Sequence, residues 1–374
     1  MSLDINLIGD LYMNKYKVCV YAISKNEEKF VRRWVNSMKE ADEIYVLDTG
    51  STDNTKELLE ELGVHVSQII FDPFRFDKAR NESLNLVPDD ADICICCDLD
   101  EVFLPGWREK LESIWQPDTT RLAYNYNWKL NKDGKPEVNF YIEKIHSRHG
   151  YTWKHPVHEV LYPIDNFKEN KITTDEITVN HYPDEQKSRG SYLPLLELSV
   201  KEDPENDRNM HYLGREYMYY GKWNEAIDTL IKHLSLKSAT WKDERCASMR
   251  FIARCYNKLG RVEEARMWLD KAINEAPYLR DPYMERAILE YNEQNFIDVE
   301  KYCLKALEIK NHSKTYINEV FSWNNTVYDL LSVAEYYLNK FDNAYKHAKI
   351  ALEMNPSDER IQNNIKLIED KLNN

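Results

Sequence analysis

The chain has 374 residues, and its 64 Asp and Glu against 50 Lys and Arg give a formal net charge of −14 at pH 7. This acidic field argues against a general nucleic-acid or anionic-membrane binder, and a hydrophobic content of 43% excludes a disordered chain. No apolar run approaches the roughly 18 residues that a membrane span needs, and MSLDINLIGDLYMNKYK lacks the basic-then-apolar order of a signal peptide. Because the seven cysteines are scattered, we expect buried free thiols and a cytoplasmic location.

The first hundred residues alternate between strand-like and helix-like periods. Four apolar, β-branched runs predict strands at 17–23, 43–48, 64–71 and 91–100, and the segments between them have helical spacing. Such units predict a mainly parallel sheet with helices on both faces. Ligands of these sheets bind at the carboxyl ends of the strands. The polar clusters of this sequence lie at those ends, at 48–53, 75–81 and 98–101.

Glycine spacing excludes the commonest nucleotide sites. The first 180 residues have glycines at 9, 50, 63, 106, 134 and 150. No two of them are close enough for a GxGxxG or a P-loop motif, so a dinucleotide-type Rossmann site and a P-loop are excluded. A nucleotidyltransferase would need a Gly-rich phosphate loop near the N-terminus, and we rank that enzyme class last.

The segment from 101 to 182 is less regular. Between 119 and 158, seven Lys and Arg stand against three acids, a local charge of +4. This basic segment is either an anion-facing surface or an ordinary solvated face. Trp128, Tyr151 and Trp153 either stack on a sugar or peptide or contribute to packing.

From about residue 190 the period is helical throughout, and the sequence repeats itself. Four segments align on a small residue at a helix crossing: Ala226, Ala265, Val299 and Ala344. The spacings of 39, 34 and 45 residues lie around the period of tetratricopeptide repeats, about 34 residues. We therefore predict an α/β fold followed by an all-α repeat domain, with domains at 1–185 and 186–374.

Asp98 and Asp100 form a DxD motif at the end of the fourth predicted strand. Alternation along a strand places both carboxylates on the same side. Because adjacent carboxylates repel each other, a divalent ion such as Mn²⁺ or Mg²⁺ is expected between them. His181 either completes this metal shell or packs as a core histidine at a domain junction.

Four ordered motifs, YAISKNEEKFVRRWVNSM, EIYVLDTGSTDNT, FDKARNESL and CCDLDEV, resemble family 2 glycosyltransferases of GT-A fold. The resemblance implies that Asp48 contacts the nucleotide, that Arg80 lies by the base or the diphosphate, and that the DxD motif holds the metal ion. The metal would neutralise the departing nucleoside diphosphate. The residues expected at the donor are Asp48, Ser51, Asp53, Asp77, Arg80, Asn81 and Asp98.

TWKHPVHEVLYP and TVNHYPDEQKSRGSYLPLLEL, leading into the repeats, resemble bacterial glycosyltransferases with C-terminal tetratricopeptide-like helices. That subgroup includes peptide S- and O-glycosyltransferases of the glycocin (sublancin-type) group, which modify Cys or Ser. Inverting transfer needs a base for the acceptor proton. Glu159, flanked by His158, is the first candidate and Glu101 the second, while a purely structural HE pair is the alternative.

The leading hypothesis is a metal-dependent inverting glycosyltransferase that moves a sugar from a UDP-sugar to a Cys or Ser side chain of a peptide or protein. The repeats would present the acceptor or form a homodimer. A glycan or cell-surface polymer is the second acceptor class, and a modified DNA base is the third. A different class is a non-catalytic repeat scaffold that binds a partner.

Overall fold

The computed structural model describes residues 15–184, 190, 192–313 and 315–373. The chain divides into two compact units, Met1–Arg189 and Gly190–Asn374. The residues 1–14, on which the expectation about a signal peptide depends, and the predicted boundary at 185/186 lie outside the described residues. Among the described helices, none is both long enough and apolar enough to cross a membrane.

The first unit contains a mixed sheet flanked by helices. Its strands are β1 (Val18–Ser24), β2 (Glu43–Asp48), β3 (His65–Gln68), β4 (Ile93–Cys96), β5 (Glu101–Phe103), β6 (Arg121–Leu130), β7 (Pro136–Ser147), β8 (Tyr151–Lys154), β9 (Val160–Pro163) and β10 (Lys171–His181). Its helices are α1 (Glu28–Met38), α2 (Thr55–Glu61), α3 (Phe76–Asn85) and α4 (Trp107–Ile114). The fold class predicted for this part of the chain is confirmed.

Eight strands form one sheet in the order β3-β2-β1-β4-β7-β6-β10-β5, and β8 pairs with β9 separately. The four strands that the sequence predicted are parallel to one another. Strand β7 runs antiparallel to both β4 and β6, and β10 lies parallel to β6. The third and fourth strands are shorter than predicted, so the DxD motif lies in a turn after β4 and strand alternation does not orient it.

Alternation along β1 explains why both faces of this sheet are covered. Val18, Val20 and Ala22 pack into one buried cluster with α1. Cys19 and Tyr21, on the opposite face, pack into a second cluster with residues of α3 and β8. All five side chains are fully buried, so this strand is apolar on both faces, as expected at the centre of a two-sided sheet.

The second unit is an all-helical repeat array, as the sequence predicts. Its helices are α5 (Tyr192–Glu202), α6 (Asp207–Tyr219), α7 (Trp223–Ser235), α8 (Lys242–Lys258), α9 (Val262–Glu275), α10 (Asp281–Asn292), α11 (Phe296–Glu308), α12 (Thr326–Tyr337), α13 (Phe341–Met354) and α14 (Glu359–Leu372), with a 3₁₀ turn at Val320–Ser322. The four aligned small residues, Ala226, Ala265, Val299 and Ala344, are all fully buried. They allow the two helices of each repeat to approach closely.

Each of the four helix–turn–helix repeats turns through one residue in the left-handed region. Gly221 and Gly260 have φ of 71° and 73°, and Gln294 and Asn339 have φ of 58° and 60° at the same position of their repeats. Glycine adopts this conformation at no steric cost, whereas a residue with a Cβ atom is strained there. Two of the four turns therefore carry backbone strain that the other two avoid.

Replacing Gln294 with glycine should stabilise the second unit by about 1 kcal/mol, because it removes the Cβ clash of a left-handed residue. The reverse change, Gly260→Gln, should destabilise it by about the same amount, although no atom lies within 4 Å of a Cβ built there. Urea unfolding followed by far-UV circular dichroism measures both changes. Equal effects of the same sign would contradict this explanation of the turns.

Candidate active site

The carboxylate of Asp48 ends β2 and is fully buried. Its Oδ1 accepts hydrogen bonds from the backbone N–H of Gly50 (3.0 Å) and Ser51 (2.9 Å) and from Nε2 of Gln68 (2.8 Å). Its Oδ2 accepts from the hydroxyls of Ser24 and Ser51. Burial raises the pKa of Asp48, but these donors outweigh burial and hold the pKa below its ordinary value. A fixed, ionised carboxylate therefore stands at the strand end.

The loop after β2 is built around two carboxylates, those of Asp48 and Asp53. Gly50 has a φ of 103°, which lets the chain turn back so that both amides reach Asp48. Asp53 accepts from the backbone N–H of Glu28 (3.2 Å) and of Thr55 (3.1 Å), at the starts of α1 and α2. The structure thus gives Ser51 and Asp53 positioning contacts within the loop.

Arg80 on α3 joins two loops that are far apart in the sequence. The residue is 4% exposed. Its Nη2 lies 2.5 Å from Oδ1 of Asp98, and its Nε donates to Oε1 of Glu159 at 3.0 Å. Its Nη1 is buried and has no hydrogen-bond partner among the described residues. One edge of the guanidinium therefore has an unsatisfied donor. Burial lowers the pKa of Arg80, but the charges of Asp98 and Glu159 outweigh burial and raise it well above its ordinary value.

The two other predicted residues of α3 make structural contacts. Asp77 binds its neighbour Arg75 through two hydrogen bonds of 3.0 and 2.7 Å. The amide of Asn81 accepts from the backbone N–H of Trp153 and donates to the carbonyl of the same residue, both at 2.9 Å. The Asn81 amide thus makes the two hydrogen bonds to β8 that the backbone of a neighbouring strand would make.

The loop between β8 and β9 carries the HE pair and is held against α3. The backbone N–H of Phe76 donates to the carbonyl of Pro156 at 3.0 Å. His155 and His158 have φ of 83° and 51°, a conformation that residues other than glycine rarely adopt. This strained loop fixes Glu159 next to Arg80, with the Glu159 side chain 13% exposed.

The turn after β4 presents Asp98 to two cations. Its Oδ1 faces Arg80, and its Oδ2 accepts from Nζ of Lys144 on β7 at 2.9 Å. Burial raises the pKa of Asp98, but the charges of Arg80 and Lys144 dominate and hold it well below its usual range. The repulsion between the DxD carboxylates is thus relieved at Asp98 by protein cations.

Both oxygens of Glu101 are engaged. Oε1 accepts from Nζ of Lys144 (2.9 Å) and from the hydroxyl of Tyr126 (2.8 Å), and Oε2 accepts from the backbone N–H of Asp98 (2.8 Å). The Glu101 side chain is 3% exposed. Glu101 therefore orients Lys144 and the DxD turn, and it lacks the accessible oxygen that a base for an acceptor would need.

Lys144 is the site residue that sequence reasoning did not single out. It lies in the basic segment 119–158, so the local charge excess was the signal that could have found it. Three of the segment's other six cations, Arg121, Lys129 and Arg148, also pair with acids. With Lys144, four of the seven cations of the segment are balanced by carboxylates.

Asp100 and His181 form a second pair, separate from the contacts of Asp98. Nε2 of His181 lies 3.3 Å from Oδ2 of Asp100, and Nδ1 donates to the backbone carbonyl of Trp128 at 3.0 Å. Burial lowers the pKa of His181, but the hydrogen bond and the charge of Asp100 raise it overall. The hydrogen bond of Nδ1 fixes the imidazole so that Nε2 faces the carboxylate, as in metal-ligating histidines.

Of the three aromatic side chains considered for stacking, Trp128 alone is accessible. Its ring is stacked on His181 with a centroid distance of 4.4 Å, and the residue is 48% exposed. Tyr151 and Trp153 are buried and belong to the core under α3. Trp128 therefore offers a flat apolar face next to Asp100 and His181.

Substituting Lys144 with methionine should destabilise the first unit by about 3 kcal/mol, because Glu101 would be left buried without its cation. The matched control is Lys129→Met, which removes the exposed pair with Glu137 and should cost less than about 1 kcal/mol. Urea unfolding of both variants measures the difference. Equal losses would show that Lys144 does not compensate a buried charge.

A family model matches part of the first unit. Residues 19–164 match the family model Glycosyl transferase family 2. The matched segment is less than half of the chain, and it includes Asp48, Arg80, Asp98 and Glu159. No curated protein matches the chain.

Solved structures resemble the chain over segments of about a third to a half of its length. MamA is 19% identical, covering 46% of this chain and 91% of its own, with a TM-score of 0.37. PilF of Pseudomonas aeruginosa is 14% identical over 46% of this chain and 70% of its own, with a TM-score of 0.37. The first TPR of Spaghetti (RPAP3), bound to the HSP90 peptide SRMEEVD, is 20% identical over 35% of this chain and 96% of its own, with a TM-score of 0.30.

The family match carries the functional assignment. Glycosyl transferase family 2 enzymes generally use nucleotide-sugar donors and often a divalent metal ion. The prediction that this chain is a glycosyltransferase is therefore confirmed, because residues 19–164 match a glycosyltransferase family model.

Proposed function

We propose that the first unit binds the diphosphate of a nucleotide sugar at the carboxyl ends of β2 and β4. The observation that carries this proposal is Arg80, a buried guanidinium with an unpartnered Nη1 between the loops of Asp98 and Glu159. A buried cation with a free donor suits a phosphate oxygen, because charge-assisted hydrogen bonds are strong where water is excluded. Asp48, at the end of β2, is the proposed contact of the nucleoside.

Asp100 and His181 are the proposed metal ligands. Carboxylate oxygen suits Mn²⁺, and the hydrogen bond from Nδ1 of His181 directs Nε2 towards Asp100, so that both side chains can ligate one ion. A divalent ion bound there would neutralise charge on the leaving diphosphate. Asp98 fits this role less well, since both of its oxygens already accept from cations.

Glu159 is the proposed general base. Arg80 orients its Oε1, and Oε2 has no hydrogen-bond partner among the described residues. In the proposed step the acceptor oxygen bonds to C1 of the sugar while the bond from C1 to the diphosphate oxygen breaks. The acceptor proton passes to Glu159, and the nucleoside diphosphate leaves with the electron pair. Glu101 is a weaker candidate because its two oxygens are already engaged.

The proposed donor is a UDP-sugar and the proposed acceptor a Cys or Ser side chain of a peptide or protein. Both proposals depend on the resemblance to the glycocin group. A groove of about 220 Å³ in the second unit supports a peptide. Its lining combines apolar side chains such as Leu269 and Leu289 with the amides of Asn257 and Asn292, which can both donate to and accept from a peptide backbone.

We propose that the N-terminal part, 1–185, catalyses transfer and that the repeats, 186–374, bind the acceptor. A homodimer through the repeats is the alternative use of that unit. A glycan, a cell-surface polymer or a modified DNA base would change the acceptor and leave the donor chemistry as described. No specific contact favours these acceptors or a non-catalytic scaffold.

The direct test is transfer by the full chain. UDP-glucose, UDP-GlcNAc and GDP-mannose are each incubated with peptides that contain one Cys or one Ser, with Mn²⁺ or with a chelator, and products are read by intact mass. We expect the mass of one hexose or N-acetylhexosamine on a peptide, from a UDP-sugar, in the presence of Mn²⁺. Product only on an oligosaccharide acceptor would overturn the peptide assignment and leave the donor site in place.

Glu159→Gln should lower kcat on a Ser acceptor by roughly 10²- to 10⁴-fold, the usual contribution of a general base. The loss should be smaller on a Cys acceptor, because a thiol ionises without strong assistance. Glu143→Gln is the matched control, since Glu143 is also a carboxylate paired with an arginine, Arg121. An unchanged kcat on Ser in Glu159→Gln would remove Glu159 from the mechanism.

A further inference from the structure

Three polar side chains meet in the core of the second unit, far in sequence from the glycosyltransferase domain. His211 on α6, His233 on α7 and Glu244 on α8 each offer a ligand atom, and these atoms lie within 4.8 Å of one another. All three residues are buried, with exposures of 0%, 0% and 4%. Buried polar groups normally satisfy their hydrogen-bonding capacity, so such a cluster requires a physical explanation.

Hydrogen bonds leave part of this cluster unsatisfied. Nε2 of His211 and Nε2 of His233 are buried and have no hydrogen-bond partner among the described residues. Nε2 of His233 lies 3.4 Å from Oε1 of Glu244 without forming a hydrogen bond. Two orphaned imidazole nitrogens next to one carboxylate oxygen form a set of ligands for a transition metal.

The other polar atoms of these three side chains are hydrogen-bonded, as the outer atoms of metal ligands usually are. Nδ1 of His211 and Nδ1 of His233 lie 2.7 and 2.9 Å from Oγ of Ser248, whose lone pairs can accept from both. In that tautomer each Nε2 carries a lone pair. The hydroxyl of Tyr316 donates to Oε2 of Glu244 at 2.9 Å, which leaves Oε1 for a metal ion. Outer hydrogen bonds of this kind orient metal ligands.

The charge state of the cluster also suits a cation. Burial lowers the pKa of His211 to about 3, so this imidazole is neutral at pH 7. Burial raises the pKa of Glu244, but the neighbouring His233 and His211 outweigh it and lower the pKa to about 2. A neutral imidazole and an ionised carboxylate are forms that ligate metals.

We propose that the second unit binds one divalent transition-metal ion, for which Zn²⁺ is the best match, through His211, His233 and Glu244. Two imidazoles and one carboxylate suit Zn²⁺ better than the hard ions that oxygen ligands select. The ion ties α6, α7 and α8 together in the repeat core. Because all three ligands are buried, its role is structural, and it is independent of the metal proposed at Asp100 and His181.

The test uses the full chain with Asp100→Asn and His181→Asn, which removes the proposed ligands of the first unit. This parent is stripped with a chelator, given ZnCl₂, desalted and analysed for metal by mass spectrometry. We expect one Zn²⁺ per chain in the parent and none after His211→Asn or His233→Asn. His347→Asn is the matched control, because His347 also contacts a buried glutamate, Glu335, but lacks a second histidine, and it should retain the ion.

Ser248→Ala is a milder variant that keeps all three ligands. Loss of the shared acceptor should weaken Zn²⁺ binding by roughly 10- to 100-fold, the usual effect of removing an outer hydrogen bond. Competition with a chelating dye measures this change. Affinity that is equal in the parent and in Ser248→Ala would contradict the proposed orientation of the two rings.

X-ray absorption at the zinc edge of the parent keeps the test decisive even if the histidine variants do not fold. Two imidazoles in the coordination shell support the proposal. A sulfur shell would overturn it and point instead to the buried cysteines, of which Cys246 and Cys255 lie on α8. Folded parent protein that retains no Zn²⁺ would also overturn it, and the cluster would then be a hydrogen-bonded network alone.

Discussion

The candidate active site depends on one buried guanidinium. Arg80 on α3 binds Asp98 in the turn after β4 and Glu159 in the loop after β8. Burying a charge is costly unless it is paired and hydrogen-bonded, so this arginine fixes the two loops relative to the sheet. Because α3 also binds the β8–β9 loop through Phe76 and strand β8 through Asn81, the helix acts as the frame on which the polar loops are assembled.

The same electrostatic requirement explains the residues around the DxD turn. Asp98 is neutralised by Arg80 and Lys144, and Lys144 is held in turn by Glu101. Asp100, two residues later, is left to face His181. The two carboxylates of one short motif therefore have different partners and, in our proposal, different tasks: one organises the site and the other binds metal.

The sequence predicted the strand ends and the polar clusters on them because strand period and strand order are local properties. It could not predict which of these polar side chains would be occupied by hydrogen bonds within the protein. Glu101 was the second candidate base and Asn81 an expected donor contact, yet their polar atoms bind the protein itself. Lys144 was missed because its contact with Asp98 spans 46 residues across an irregular segment.

A similar limit applies to the second unit. The aligned small residues predicted the repeats because close helix packing requires them at a fixed period. His211, His233 and Glu244 lie on three different helices, so helical periodicity identifies them only as core positions. Their mutual proximity depends on the tertiary packing of the array.

Calorimetric titration of the full chain with UDP, GDP, UDP-glucose, UDP-GlcNAc and GDP-mannose, with and without Mn²⁺, tests the central claim most directly. We expect that a uridine nucleotide binds, that Mn²⁺ strengthens this binding, and that the effect of Mn²⁺ disappears in Asp100→Asn. It also predicts that Arg80→Met abolishes binding in folded protein. Folded wild-type chain that binds none of these nucleotides would contradict the proposed donor site.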